Sequence, residues 1–247
     1  MSGKPILLAS DVHLGIVSEA TESAFERWLV EAGKTASEVI LNGDIFDFWF
    51  EYRSVIPRGH TRVLALIGDL VRSGVPVSFM GGNHDWWGGS FLTDELGVTL
   101  YRDPVVLDLN GWRTFVAHGD GLGSGDLPYR ILRRVIQSRV TVWGFRWLHP
   151  DVGVPLAKAV SQTIDRGEGT GPTEAERGRS EHLKKCGIAK LRSDPEIDLV
   201  VFGHTHVPLL IEDTPGRFYV NAGDWVNHRS YLILERDRPP RLEEWAG

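Results

Sequence analysis

The chain has 247 residues, 42% hydrophobic and 24% charged, with 27 basic against 33 acidic side chains and a formal net charge of −6. That length suits one large globular domain with room for a sizeable insertion, and the acidic balance disfavours nonspecific nucleic-acid binding. No apolar run approaches the roughly 18–20 residues that span a bilayer, and the run Ile6–Ala9 is too short for a signal segment. A single cysteine, Cys186, excludes an internal disulfide, fits a reducing cytoplasm and reads as a helix-packing thiol. The charge is unevenly spread. Gly121 to Arg192 holds thirteen Lys/Arg and seven Asp/Glu, a net of +6, which leaves −12 for the remainder and marks that block as a segment with its own task.

In chain order, short apolar runs each end in a polar cluster. Ile6–Ala9 leads to Asp11 and His13, and Val39–Leu41 to Gly43 and Asp44. Val75–Met80 leads to Asn83, His84 and Asp85, and Thr114–Ala117 to His118. Leu199–Phe202 leads to His204 and His206, and Arg217–Val220 to Asp224. Fully apolar runs of this length predict strands buried on both faces. Between them, Phe25, Trp28, Leu29 and Ala32 repeat at helical spacing and stop at Gly33, with Ser23 and Glu26 matching a capping box. A second stripe, Val63 to Val71, stops at Gly74. Strands alternating with helices, with polar residues at the strand ends, predict a layered α/β fold whose site lies along one sheet edge.

The interval between His118 and His204 is the one long break in this rhythm, and it coincides with the basic block. Asp126, Leu127 and Pro128 read as an N-cap followed by an early-turn proline. The stripe Ile131 to Trp143, a second pattern from about Val154 to Ile164, and a capping box at Thr173 and Glu176 predict three helices. The division expected is a core of residues 1–120 and 193–247 with a helical cap over 121–192.

The polar clusters have the chemistry of metal ligands. Asp11 and His13, two apart, project on one face if the strand persists. The two oxygens of Asp44 can bridge two cations, Asn83 offers a carbonyl oxygen, and His118, His204 and His206 offer imidazole nitrogens. Such a mixed oxygen and nitrogen set suits Mn²⁺, Fe²⁺ or Zn²⁺ better than Ca²⁺, and the lack of thiolate argues against a structural zinc site. Two ions roughly 3.5–4 Å apart can generate a hydroxide and neutralise phosphate oxygens. His84, beside Asn83, can protonate the leaving oxygen. Taken singly, each of these residues is more often a cap or turn residue; five clusters in this order are not.

The joint pattern Asp-x-His, Gly-Asp, Gly-Asn-His-Asp, His-Gly-Asp and Gly-His-Thr-His resembles the calcineurin-like metallophosphoesterase superfamily. The resemblance implies a metallophosphoesterase sandwich, a βαβ core with helices outside. It implies one metal held by Asp11, His13, Asp44 and His206, and a second by Asp44, Asn83, His118 and His204. Asp85 would orient His84, the catalytic acid. The stretch from Asn42 to Phe50, with His118 to Asp126 and Tyr129, is similar to the bacterial UDP-2,3-diacylglucosamine hydrolases of lipid A synthesis. In that family the insertion shelters the acyl chains, and the reaction releases UMP and a lipid sugar 1-phosphate. The implied cofactor is two Mn²⁺, with Fe²⁺ or Zn²⁺ as alternatives. Asp126 and Tyr129 match positions beside the substrate, although Asp126 also reads as a helix cap. This chain departs at His84, where the best-known branch carries arginine.

Between Leu127 and Val160 six basic residues, Arg130, Arg133, Arg134, Arg139, Arg146 and Lys158, stand against one acid, Asp151, and mix with Tyr129, Trp143, Phe145 and Trp147. A basic helix is commonly a solvated face, but aromatics beside cations also suit an interface with anionic lipid. The expected partners are therefore a UDP-linked diacyl-sugar lipid and the inner-membrane surface, with Arg130 as a substrate contact, no nucleic acid and no obligate protein partner. The expected location is cytoplasmic and peripheral to that membrane. Trp86 and Trp87 either line the pocket or close the sheet, and Trp86 is taken as a substrate contact. His228 reads as a rim residue, and His60, His149 and His182 as surface or packing residues. The rivals are a phosphoesterase acting on soluble nucleotides, phosphodiesters or phosphoproteins, and a non-catalytic scaffold on the same fold.

Overall fold

Alternation along the apolar strands sets the architecture. In β1 (Ile6–Ala9), Ile6 and Leu8 face one apolar cluster while Leu7 and Ala9 face another. The same split runs through β2 (Glu38–Asn42), where Ile40 points one way and Val39 and Leu41 the other. Strands with two apolar faces need a layer on each side. The computed structural model, which describes residues 3–122, 127–161 and 173–247, shows what those layers are.

One sheet has six strands. β1 and β2 lie parallel, followed by β3 (Val77–Met80) and β4 (Thr99–Tyr101), while β10 (Ser230–Leu234) and β11 (Arg241–Glu244) extend the other edge antiparallel. The second has five, in the order β5 (Val105–Leu109), β6 (Trp112–Val116), β7 (Leu199–Phe202), β9 (Arg217–Asn221) and β8 (Leu209–Thr214). Ile6, Leu8 and Ile40 of the first sheet meet Leu199, Val201 and Val220 of the second in the middle core. Outside the first sheet lie α1 (Glu19–Thr35) and α2 (Thr61–Arg72), burying Phe25, Trp28, Leu29, Val63 and Ile67. The result is the layered α/β fold that the pattern predicts, in the sandwich form that the resemblance implies.

Three expectations are corrected. The capping box at Ser23 does not start a helix, because α1 begins earlier: Ser18 caps it by accepting from the Thr21 amide, and Glu26 pairs with Arg62 of α2 at 3.1 Å. Helix α6 (Glu174–Ser193) belongs to the core, not the cap. Its Leu183 and Leu191 bury against Val200, Phe202 and Tyr219 on the outer face of the second sheet, supplying the fourth layer. The capping box at Thr173 and Glu176 does open it. The cap then reduces to α3 (Leu127–Ile136), α4 (Arg139–Phe145) and α5 (Pro150–Ser161). Strands β4, β5, β8, β10 and β11 were not among the predicted runs; β5 alternates half-buried with exposed residues, and β4, β8 and β11 are only partly buried.

Gly187 of α6 marks where that helix approaches the sheet most closely. A methyl group there would collide with the ring of Tyr219, which is fully buried, and press on Phe202. Gly→Ala inside a helix ordinarily stabilises by up to ~1 kcal/mol, but overpacking costs about 1–3 kcal/mol. Gly187→Ala is therefore expected to lower the urea midpoint with an unchanged m-value, the signature of a stability loss without a change in compactness.

Candidate metal centre and substrate cleft

The candidate ligands sit where strands end and the chain turns sharply. Asp11, His13, Asp44, His204 and His206 all have positive φ, from 52° to 67°. Non-glycine residues seldom adopt this left-handed conformation, although Asp and His tolerate it better than most. The expectation that Asp11 and His13 share a strand face is thus corrected: β1 ends at Ala9, and a turn presents them. The turn is held by its neighbour. The amides of Asp11, His13 and Leu14 donate to the carbonyls of Gly43, Asp44 and Ile45 at 2.9–3.0 Å.

Each central carboxylate has one oxygen anchored and one turned inward. Asp11 Oδ2 accepts from the His204 amide at 2.9 Å and from the Ser10 hydroxyl, while Oδ1 is buried without a hydrogen bond, 3.4 Å from His206 Nε2. Asp44 Oδ1 accepts from the His84 amide at 2.9 Å, leaving Oδ2 3.1 Å from His118 Nε2 and 3.9 Å from His84 Nε2. Asp44 Oδ2 is thus the oxygen that lies nearest the imidazoles of His118 and His84.

The imidazoles are oriented from behind. His118 Nδ1 donates to the Asn42 carbonyl at 2.9 Å, and His206 Nδ1 donates to Asp224 Oδ2 at 3.0 Å. Both Nε2 atoms are thereby turned to the centre as acceptors, and His206 Nε2 stands 3.3 Å from His13 Nε2. Burial, followed by the charge of His206, drives the His13 pKa well down, and burial with the charge of His118 takes His204 down to about 3. These rings are held neutral, the form that ligates metal. At His118 burial also works downward, but the carboxylates of Asp44 and Asp11 outweigh it and raise the pKa. Positive charge is called for between His118 Nε2 and Asp44 Oδ2.

The structure brings together Asp11, His13 and His206 as one group, Asp44, His118 and His204 as another, and His13, Asp44 and His84 as a third between them. The Oδ1 of Asn83 is buried and makes no hydrogen bond. Lone pairs facing lone pairs at 3.1–3.4 Å repel one another unless cations lie among them. The Asp and His clusters fit divalent metal.

Asp85 differs from its expected role. Its carboxylate accepts from the amides of Gly82, Asp44, Ile45 and Phe46 at 2.7–3.2 Å, so it shapes the Asp44 turn instead of touching the His84 ring. Burial, reinforced by the charge of Asp44, pushes its pKa up to about 7 against those amide bonds. The partner of His84 Nδ1 is the Asp47 carbonyl, at 2.8 Å, with Asp47 Oδ1 at 3.8 Å. Asp224 was likewise missed as a site residue. Burial would raise its pKa, but hydrogen bonds from His206 and His228 hold the carboxylate below its ordinary range. His228, joined to Asp224 at 2.9 Å, stands behind the centre and outside the three ligand groups. The signal available for Asp224 was its place at a strand end in the same pattern as the ligands.

Next to the centre a cleft of about 460 Å³ opens between core and cap. Asp47, Asn83 and His84 line its polar end; Phe48, Phe50 and Trp87 form the core wall, and Leu132, Ile136, Val142, Phe145 and Leu156 the cap wall. Phe145 docks the cap, its ring 4.6 Å from that of Phe50. Trp87, not Trp86, lines this cleft. Trp86 lies beside it, donating to the Arg102 carbonyl at 3.2 Å with the Arg102 guanidinium over its ring. Asp126 falls outside the described residues, as do the side chains of Tyr129 and Arg130. A larger groove of about 560 Å³, on the outer face of α1 and α2, contains none of the motif residues.

The family model for calcineurin-like phosphoesterase matches residues 4–208. The chain belongs to this family. Curated relatives named UDP-2,3-diacylglucosamine hydrolase are similar along nearly their whole length. One from Porphyromonas gingivalis is 30% identical over 93% of this chain and 94% of its own. Others are from Aeromonas hydrophila, 29% identical over 97% and 98%, and from Bordetella pertussis, 31% identical over 94% and 92%. Among solved structures, Vacuolar Protein Sorting 29 from Cryptosporidium parvum covers 98% of this chain and 97% of its own at 14% identity and a TM-score of 0.49.

For a phosphoesterase built this way, the carboxylate behind a ligating histidine sets its orientation and basicity, and its loss weakens metal binding about 10–100-fold. Asp224→Asn is expected to weaken divalent-metal binding by that factor, read by calorimetric titration of the metal-stripped protein. Unchanged affinities would remove Asp224 from the centre.

Proposed function

We propose that this phosphoesterase hydrolyses the diphosphate of UDP-2,3-diacylglucosamine to UMP and 2,3-diacylglucosamine 1-phosphate, with two Mn²⁺. The observation that carries the reading is the apolar cleft whose polar end is formed by Asn83 and His84. A soluble nucleotide has no use for five apolar side chains on the cap facing two phenylalanines and a tryptophan; acyl chains do. The near full-length similarity to hydrolases with this substrate in their names points the same way.

In this reading Asp11, His13, Asp44 and His206 would hold one cation and Asp44, Asn83, His118 and His204 the other. Such a pair supplies a hydroxide at neutral pH and neutralises phosphate oxygens. The protein's own groups do the rest. His84, its Nδ1 proton given to the Asp47 carbonyl, directs Nε2 toward the centre and holds there the proton that the leaving oxygen takes up. Asp85 keeps the Asp44 turn in place, and the cap covers the chains and excludes water. Among donor sets, mixed carboxylate, amide and imidazole without thiolate suits Mn²⁺.

The cap also supports docking on a lipid surface. Val140, Trp143 and Trp147 are 78%, 64% and 76% exposed, and Arg139 and Arg146 lie among them. Apolar and aromatic groups interspersed with arginines match the face of an interfacial helix on anionic lipid. Among the described residues no helix is long and apolar enough to cross a membrane.

Wild-type protein with Mn²⁺ is expected to release UMP from UDP-2,3-diacylglucosamine, measured by chromatography of the nucleotide. No UMP would refute the assignment, and faster turnover of simple phosphodiesters would favour a soluble substrate. His84→Gln should lower kcat by about 10²–10⁴, the scale of general acid catalysis, with metal content retained. Trp143→Asp with Trp147→Asp should abolish flotation with vesicles containing anionic phospholipid; equal flotation would remove the cap from the membrane contact.

A further inference from the structure

We propose that Arg133 of the cap is the cation that reads the substrate's phosphate at the throat of the cleft, and that Asp120 of the core positions it. The inference rests on the reading of the cleft as a site for a lipid-linked phosphate. Among the described residues that line the cleft, Arg133 is the one Lys or Arg. It lines the small pocket beside His118 as well, so its side chain spans from the apolar cleft to the edge of the metal centre.

The guanidinium is held at the near end only. Nη1 donates to the Asp120 carbonyl at 2.9 Å, and Nε lies 3.1 Å from Asp120 Oδ2. That second approach is off the hydrogen-bond line, since Nε is buried with no aligned acceptor. Nη2 donates to no described residue. An arginine has five N–H donors in a planar fork that matches phosphate oxygens. Here the Asp120 carbonyl takes one hydrogen bond and the buried Asp120 carboxylate, at 3% exposure, pairs with the guanidinium by charge, while part of the fork remains unspent. Asp120 follows the candidate ligand His118 by two residues, so the contact also ties cap helix α3 to the metal-bearing loop. With cations held by the candidate ligands, Arg133, which shares a small pocket with His118, would add positive charge beside a phosphate bound there.

The test uses the full chain loaded with Mn²⁺ and measures decyl phosphate and uncharged decyl glucoside by calorimetry. Arg133→Ala is expected to weaken decyl phosphate about tenfold or more, the scale of a lost charge-assisted hydrogen bond, and to leave decyl glucoside unchanged. Arg133→Gln, closer in volume, should give the same selective loss if the alanine variant folds poorly; metal content and thermal melting serve as controls. Equal decyl phosphate affinity in wild type and Arg133→Gln, equal losses for both amphiphiles, or no binding of decyl phosphate by wild type would overturn the proposal. Asp120→Asn should weaken decyl phosphate alone and add nothing in the Arg133→Gln background; additive losses would overturn its positioning role. Wild-type failure to release UMP would count against the UDP-lipid reading and leave these binding results to stand or fall by themselves.

Discussion

Acceptor atoms of Asp11, Asp44, His13, His118 and His206 converge with lone pairs toward one another, and the surrounding structure is organised to keep them there. In water such groups would turn away or take up protons. Inside this protein Asp11, Asp44, His118 and His206 are each kept from turning away by a second bond, while the His13 ring is held by burial alone. Amides hold the outer oxygens of both carboxylates, the Asn42 carbonyl takes the His118 Nδ1 proton, and Asp224 takes that of His206. The protein is thus preorganised for divalent cations, with the repulsion among its own ligands relieved when they bind.

This convergence has a backbone cost. Five candidate ligands occupy left-handed turns, a conformation that costs ordinary residues of order 1–3 kcal/mol each and persists only when neighbours over-determine it. The neighbours here are specific. The turn at Asp11 to Leu14 is hydrogen-bonded to the turn at Gly43 to Ile45, and the carboxylate of Asp85 gathers the amides of Asp44, Ile45 and Phe46. Gly82 has no room for a side chain, because a Cβ would overlap Asp44. The two sheets, locked through their shared core, bring the turns of both to one edge.

Core and cap divide the work by solvent chemistry. The core concentrates acid and imidazole in a buried polar centre; the cap is basic, aromatic and apolar on its outside, with Ile131, Val135, Val140 and Trp147 each more than half exposed. Among the described residues they meet through contacts of opposite kind, Phe145 against Phe48, Phe50 and Tyr52 and Arg133 against Asp120, with the cleft lying between core and cap. The exposed cap residues are not among the candidate metal ligands, so the cap can have a surface suited to lipid without disturbing the geometry of the centre.

The sequence by itself determined the parts that depend on local pattern. Apolar runs located β1, β2, β3, β6, β7 and β9, helical stripes located α1 and α2, and five polar clusters located the residues that gather at the centre, because burial on two faces and strand-end turns leave direct marks on residue order. Edge strands such as β8 and β11 left no such mark. Tertiary structure decided what depends on residues far apart in the chain: that α6 covers the second sheet, that Asp85 serves the Asp44 turn while Asp47 meets His84, that Asp224 stands behind His206, and that Trp87 instead of Trp86 faces the cap. Each of these is a choice among partners that sequence spacing leaves equivalent. Only the packing of the layers brings one partner within hydrogen-bond or van der Waals reach and takes the other away.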